Sequence, residues 1–390
     1  MKSWSPQHYK IEGKKNKIDK EIIDSALEHA KRIRSKNNIN PIFTLRHLSY
    51  LANVEYSFLR SIVYRDLEDY WDLEEPLYRY FQIRKKNSLE KRRIFIPHPQ
   101  LVKVQKYIHQ NILKFVECHE NSFAYTPGIS IVDAASLHTN SKWLIKLDIT
   151  AFFESISEVS VYKVFRSLEF PALLSFELAR ICTWNSPRNR NTIPPRFKIS
   201  KKTNYTVYSS TEGIELGHLP QGAPTSPSLS NLVCRELDKQ LTAFSVKNEL
   251  EYSRYSDDIT FSSKNINFSR KDAIEIIKMV YKILINYGFT PNIQKTKIIS
   301  PKAKKIVLGL NVDREKVKLD KKFKNKINQN IYFCLHPDIG PVRQAKYKKF
   351  SSVLGFKNHL HGLIIYALSI DKEFGEKALN NYNKIVWPIH

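Results

Sequence analysis

Apolar residues recur at helical spacing over 18–37, where Ile22, Ile23, Ala26, Leu27, Ala30 and Ile33 form one stripe and predict an amphipathic helix. Thr44 is placed to cap a second helix with Leu45, Leu48, Leu51 and Ala52 on one face, and a third covers Phe58 to Asp66. Together they predict a small helical region over 1–75. The period changes near residue 76: YRYFQIRKKNSLEKRRIFIPHPQ alternates apolar and polar positions around a charged turn, which predicts a β-hairpin with a basic tip. Helical spacing returns over 101–116 through Leu101, Val104, Ile108, Ile112 and Phe115. KWLIKLDI is a short apolar strand ending in an acid, residues 225–246 read as a helix, and EYSRYSDDITFSS reads as strand, tight polar turn and strand. A helix over 270–287 carries Ala273, Ile276, Ile277, Val280 and Leu284, two short strands follow around Ile298 and VLGLNV, and the tail from 320 is helical and basic. Between these elements, 185–213 is rich in Pro, Asn, Ser and cations and has no sustained period, so it reads as a surface loop.

Charge narrows the class of partner. Lys plus Arg number 63 against 38 Asp plus Glu, a net charge of +25, which points to a polyanion such as nucleic acid. With 42% apolar and 12% aromatic residues the chain can bury a core, so wholesale disorder is excluded. Cys118, Cys182, Cys234 and Cys334 include no CxxC pair, which argues against structural zinc and against a disulfide framework. The N-terminal residues lack an apolar signal region and no apolar run is long enough to span a bilayer, so a cytoplasmic location without membrane contact is expected.

The candidate chemistry lies in the acids. Asp257 and Asp258 sit side by side in the turn of a hairpin flanked by buried-type residues, and Asp148 ends a different apolar strand. Asp-Asp also occurs in solvated turns, so the pair alone says little. Joined by Asp148, it would supply a cluster of hard oxygen ligands suited to Mg²⁺, with Mn²⁺ as a substitute. Two such ions can clamp the attacking and leaving oxygens of a phosphoryl transfer.

KLDITAFFESI, LPQGAPTSPSLSN, RYSDDITFS, NIQKTK and VLGL occur in that order and resemble the successive palm motifs of bacterial reverse transcriptases, most closely those of the retron or defence-associated type. The resemblance runs from about Tyr78 to the C-terminus. It implies an α+β right-hand polymerase: fingers over 76–141, a palm with a small antiparallel sheet over 142–312, a helical thumb over 313–390, and the 1–75 helices as an N-terminal extension. It implies RNA-directed DNA synthesis from dNTPs with two Mg²⁺ ions, copying a structured non-coding RNA that also primes, with nascent cDNA as product, an effector or toxin protein as a further partner, and anti-phage defence as the setting.

Residue by residue, the resemblance makes Asp148 and Asp257 the metal-bridging carboxylates, Asp258 an auxiliary acid and Ile149 a backbone-carbonyl ligand. Lys295 matches a lysine that protonates the leaving pyrophosphate. Phe153 matches the aromatic gate that excludes a ribose 2′-OH, although Phe152 and Phe153 also suit a core. Gln221 and Gly222 match the loop that touches nucleotide and template, and Lys85 and Arg92 match finger cations for the triphosphate. VLGLNV matches the hairpin that grips the primer end. For nucleic-acid contact the candidates are Arg188, Arg190, Arg196, Lys201 and Lys202 in the loop and Lys346, Lys348 and Lys349 in the tail.

Two segments depart from the retron pattern. An Asn-Ala-x-x-His segment is replaced by Ala134-Ala135-Ser136-Leu137-His138, and Val-Thr-Gly by Val307-Leu308-Gly309. Template-independent or protein-primed polymerisation by the same site, and an idle RNA-binding scaffold, are the competing readings.

Overall fold

The computed structural model describes residues 5–65, 76–84, 91–185 and 216–388. Lys85 in the hairpin tip and the loop cations Arg188, Arg190, Arg196, Lys201 and Lys202 lie outside the described residues.

Four helices lead the chain. α1 (Pro6–Lys15) escapes the periodicity argument because it buries no residue; Ser5 caps it and Pro6 occupies its first turn. α2 (Lys20–Asn37) starts at an Asp19 cap. Its predicted stripe is only partly internal: Ile23 and Ile33 are buried, whereas Ile22 is 61% exposed. α3 (Leu45–Ala52) is capped as expected, the Thr44 hydroxyl accepting from the His47 amide. α4 (Tyr56–Tyr64) ends short of Asp66, because Arg65 turns left-handed and its guanidinium pairs with the buried Glu158. Arg180 also reaches Glu158, at 3.3 Å, and donates to the Val63 carbonyl, so the leading helices are tied to the body of the protein by buried ion pairs.

The basic segment forms the predicted hairpin, β1 (Tyr78–Arg84) with β2 (Lys91–Pro97). α5 (Pro99–Asn111) begins two residues ahead of the predicted 101, set by Pro99 and a His98 cap. It also stops early. Leu113–Phe115 is a 3-10 turn, and Phe115, expected inside, is 49% exposed. α6 (Ile131–Ser136) opens with a capping box between Ser130 and Asp133.

The apolar strand KWLIKLDI gives β3 (Trp143–Asp148), mostly buried along its length and therefore an interior strand. α7 (Glu158–Ser167) and α8 (Ala172–Cys182) follow. The expected single helix over 225–246 is instead two, α9 (Ser226–Val233) and α10 (Arg235–Lys247), which meet at Cys234 with ψ near 0°. The break lets Asn231 on one helix and Asp238 on the other reach the same partner, Arg254. β4 (Glu251–Tyr255) and β5 (Asp258–Ser263) form the hairpin of the paired acids, α11 (Arg270–Asn286) packs behind, and β6 (Lys297–Ile299) completes an antiparallel sheet of order β4-β5-β3-β6. Leu147, Ile259, Phe261, Leu241 and Val280 belong to one core with the leading helices.

VLGLNV is not the one strand its apolar pattern suggests but a hairpin, as the resemblance implies. The hairpin is tight, β7 (Ile306–Val307) and β8 (Leu310–Asn311), with β9 (Lys318–Leu319) beside it. Leu308 and Gly309 both have positive φ (49° and 84°), as a two-residue hairpin turn of the I′ type requires. α12 (Lys321–Leu335), α13 (Gly340–Tyr347), α14 (Val353–Ile370) and α15 (Lys372–Tyr382) pack on this small sheet around a second core containing Ile327, Phe356, Leu360 and Ile364. Among the described residues, no helix is long and apolar enough to cross a membrane.

Candidate active site

The three acids meet at one end of the central sheet. Antiparallel pairing of β3 with β5 sets Asp148 opposite Asp258. Asp257 occupies the turn before β5, and the Ile149 amide donates to its carbonyl at 3.1 Å. Asp148 is 6% exposed. Its Oδ2 accepts from Lys295 Nζ at 2.8 Å and its Oδ1 from Asn292 Nδ2 at 3.1 Å. Burial, and then the Asp148 charge, raise the Asp257 carboxyl above its ordinary pKa. Asp258 is raised by burial and by the charge of Asp257. Burial works against the Lys295 ammonium, but the hydrogen bond and charge of Asp148 outweigh it and hold Lys295 above the usual lysine value.

Other candidates are placed around this group. Phe153 is 9% exposed; its ring lies 5.5 Å from Phe152 and 6.4 Å from Tyr125, whose hydroxyl donates to Ser256 Oγ at 3.2 Å. The Gln221 carbonyl accepts from the Phe95 amide at 2.8 Å, so the loop of Gln221 and Gly222 runs alongside β2. Gly222 has φ 120°, and a Cβ there would collide with the Phe95 carbonyl, which is reason enough for glycine whatever it does for a nucleotide. Arg92, on β2, is near enough for its charge to act on Asp257. Lys346, Lys348 and Lys349 are exposed at the end of α13, which packs on α12 and α14.

A buried network that the sequence reading missed sets the turn. Arg254 is wholly buried and holds Asp238 through two bonds, Nε to Oδ1 at 2.7 Å and Nη2 to Oδ2 at 2.6 Å. It also donates to Ser122 Oγ at 2.8 Å, to Asn231 Oδ1 at 3.2 Å and to the Ser256 carbonyl at 3.1 Å. Tyr252 adds a bond to Asp238 at 2.7 Å. Burial disfavours the guanidinium charge, but Asp238 outweighs it, so Arg254 stays protonated. Ser256 has φ 59°, uncommon for a non-glycine residue, and is held there between Arg254 and Tyr125. The available signal was positional: Tyr252 and Arg254 alternate onto the same inward face of β4.

His138, which survives from the altered retron segment, is also buried. Ser262 Oγ at 2.8 Å and Ser253 Oγ at 2.7 Å bond its two ring nitrogens. Burial, aided by Lys264 and Lys146, pushes its pKa down to about 3, so it bridges β4 and β5 as a neutral ring.

The family described as "Reverse transcriptase (RNA-dependent DNA polymerase)" matches residues 83–312, which contain all three acids and both strands that present them. The chain belongs to this reverse transcriptase family. It is an RNA-directed DNA polymerase, and the family's right-hand fold and dependence on divalent metal come with membership. The retron Ec86 reverse transcriptase of Escherichia coli is 26% identical over 90% of this chain and 98% of its own length. The retron Ec83 reverse transcriptase of Escherichia coli is 26% identical over 79% of this chain and 87% of its own. Among solved structures, telomerase from Candida albicans in complex with a fragment of telomeric RNA is similar at TM-score 0.39 and 12% identity, covering 79% of this chain and 63% of that one.

Metal fits this reverse transcriptase by donor chemistry. Among the described residues, no three potential ligands already close on one point, and protein donors occupy both oxygens of Asp148. Yet Asp257 and Asp258 are carboxylates raised first by burial and then by like charge, that of Asp148 on Asp257 and that of Asp257 on Asp258. A hard divalent cation relieves that repulsion, and oxygen donors are what it prefers.

Proposed function

We propose that this reverse transcriptase copies a dedicated structured non-coding RNA into DNA from dNTPs, in the manner of a retron, within an anti-phage defence system. The observation that carries the chemistry is the pairing of Asp148 with Asp258 beside the Asp257 turn, at one sheet end of a chain with net charge +25. Similarity to retron enzymes over most of the chain supports the retron-like setting. Fingers over 76–141, palm over 142–312, thumb over 313–390 and an N-terminal helical region over 1–75 are the division proposed. A cytoplasmic location and an effector or toxin partner belong to the same reading.

Asp148, Asp257 and Asp258, with the Ile149 carbonyl, would hold two Mg²⁺ ions, Mn²⁺ being a substitute. When bound, the ions supply charge for the transferring phosphoryl group and for both oxygens in line with it. Lys295, which donates to Asp148 here, would turn from it toward the leaving pyrophosphate as a proton donor. Arg92 and Lys85 would hold the triphosphate, and Gln221 and Gly222 would line the nucleotide. Lys346, Lys348, Lys349 and the loop cations Arg188, Arg190, Arg196, Lys201 and Lys202 would meet nucleic-acid phosphates.

The gate gives a specific test. Phe153 is walled by Phe152 and Tyr125, so its ring has little freedom to yield to a 2′-OH. Phe153→Ala is expected to raise ribonucleotide relative to deoxyribonucleotide incorporation by about tenfold or more, the scale of ~1.4 kcal/mol in a barrier. Competing dNTP and NTP incorporation measures it; an unchanged ratio assigns Phe153 to the core alone. For the function as a whole, nucleic acid purified with the protein should sequence as one structured RNA joined to DNA complementary to part of it. A random sample of cellular RNA would remove the dedicated template.

A further inference from the structure

The β1–β2 hairpin has two different faces. Residues opposed across the pair share a face. Phe81 with Ile94 and Ile83 with Arg92 lie on one, while Tyr80 with Phe95, Gln82 with Arg93 and Arg84 with Lys91 lie on the other. The first face looks toward the catalytic end: Ile94 Cγ2 is 3.3 Å from where a Gly222 Cβ would sit, and the charge of Arg92 acts on Asp257.

The second face is built differently. Its foot is an aromatic cluster, with Phe95 edge-on to Tyr78 at 6.2 Å and Tyr78 4.9 Å from Trp184. Above that foot Tyr80 is 52% exposed, and the Arg93 guanidinium stands 5.8 Å from its ring centroid. Gln82, Arg84 and Lys91 are exposed beside them. The two strands, YRYFQIR and KRRIFIP, carry only cations and no acid.

We infer that this outer face is a platform for unpaired RNA, distinct from the nucleotide-handling face of the same hairpin. The inference rests on the reading that the chain copies RNA. An exposed ring takes a base by stacking, with little regard to its identity, and neighbouring cations take the flanking phosphates. Gln82 offers both donor and acceptor to a base edge or a 2′-OH. The foot holds Tyr80 on a rigid support, so little side-chain freedom is lost on binding. Charge complementarity favours a nucleic acid over a protein: two strands without an acid, in a chain of net charge +25, suit a polyanion.

The test compares equilibrium binding of the full-length protein to two RNA–DNA primer–templates. They share one duplex; one has a minimal template overhang and the other a single-stranded RNA overhang of about a dozen nucleotides, within the span such surfaces cover. Tyr80→Ala is expected to weaken binding of the long-overhang substrate about tenfold or more, to spare the short one, and to abolish quenching of a 2-aminopurine placed in the overhang. Tyr80→Trp should preserve both affinity and quenching, which separates stacking from folding. Arg93→Ala should shrink the log–log salt slope for the long substrate by about 0.7. Equal affinities of wild type and Tyr80→Ala for the long overhang would overturn the platform and leave the face to solvent or to a protein. An equal loss on both substrates would overturn it too, as a general defect. Failure of the polymerase reading shows separately, as absence of primer extension by the wild type, because binding is read without nucleotides.

Discussion

Asp257→Ala abolishes DNA synthesis, by a factor of about 10³ or more, and leaves the protein at least as stable as before. The two halves of this expectation have one cause. Asp257 is a desolvated carboxylate beside Asp148 and Asp258, and burial and like charge both raise its pKa. Removing it relieves repulsion, so the thermal midpoint stays level or rises, as when strain held for function is released. On the proposed reading, the same removal takes away a metal ligand. Each ~1.4 kcal/mol lost from the transition state is tenfold in rate, and a ligand to the metals that stabilise phosphoryl transfer is worth several such steps. Asp148→Ala should match it in rate. Lys295, which loses its partner there, has a half-exposed side chain that can turn to solvent. Primer extension and thermal unfolding on the same preparations check both halves. A variant that polymerises near the wild-type rate would move the site elsewhere, and one that merely unfolds would make Asp257 structural.

Arg254→Ala has the opposite signature: it costs about 3–5 kcal/mol of stability, the range for breaking a buried ion pair by removing one partner. Among the described residues, Asp238 would keep only the Tyr252 side-chain bond, while Asn231, Ser122 and the Ser256 carbonyl would each lose a donor. Synthesis should fall as well, because Ser256 is kept left-handed by that carbonyl bond and precedes Asp257 directly. Arg254→Lys should recover part of the stability but less of the rate, since an ammonium lacks the planar fork that spans Asp238 and Ser256 together. Urea unfolding gives the first quantity and single-turnover extension the second. A stability loss below about 1 kcal/mol, the scale of an exposed pair, would mean that the network does not hold the turn.

Much of this was legible in the chain. Strand period and apolar character gave β3, the β4–β5 hairpin and the basic β1–β2 hairpin, and the ordered motifs joined Asp148 to Asp257 and Asp258 across more than a hundred residues of sequence. What escaped has physical reasons. α1 buries nothing, so it leaves no stripe to read. The break at Cys234 involves neither Pro nor Gly and answers to a tertiary demand, the convergence of Asn231 and Asp238 on Arg254. Arg254 itself was hidden by its charge, since an arginine is read as exposed until a partner such as Asp238, distant in sequence, is known to enclose it. Gly222 shows the converse: a residue legible as nucleotide-handling has a second, sufficient reason in the approach of Phe95.

The central claim is that the carboxylate end of the β3–β5 pair builds DNA on an RNA template. Its most direct test is to supply the purified chain with one defined RNA template, an annealed primer, all four dNTPs and Mg²⁺, and to sequence what is made. The account predicts DNA complementary to the template, base by base, absent when the metal is chelated and absent from Asp257→Ala. Product whose sequence ignores the template, or complementary product that persists in Asp257→Ala, would contradict it.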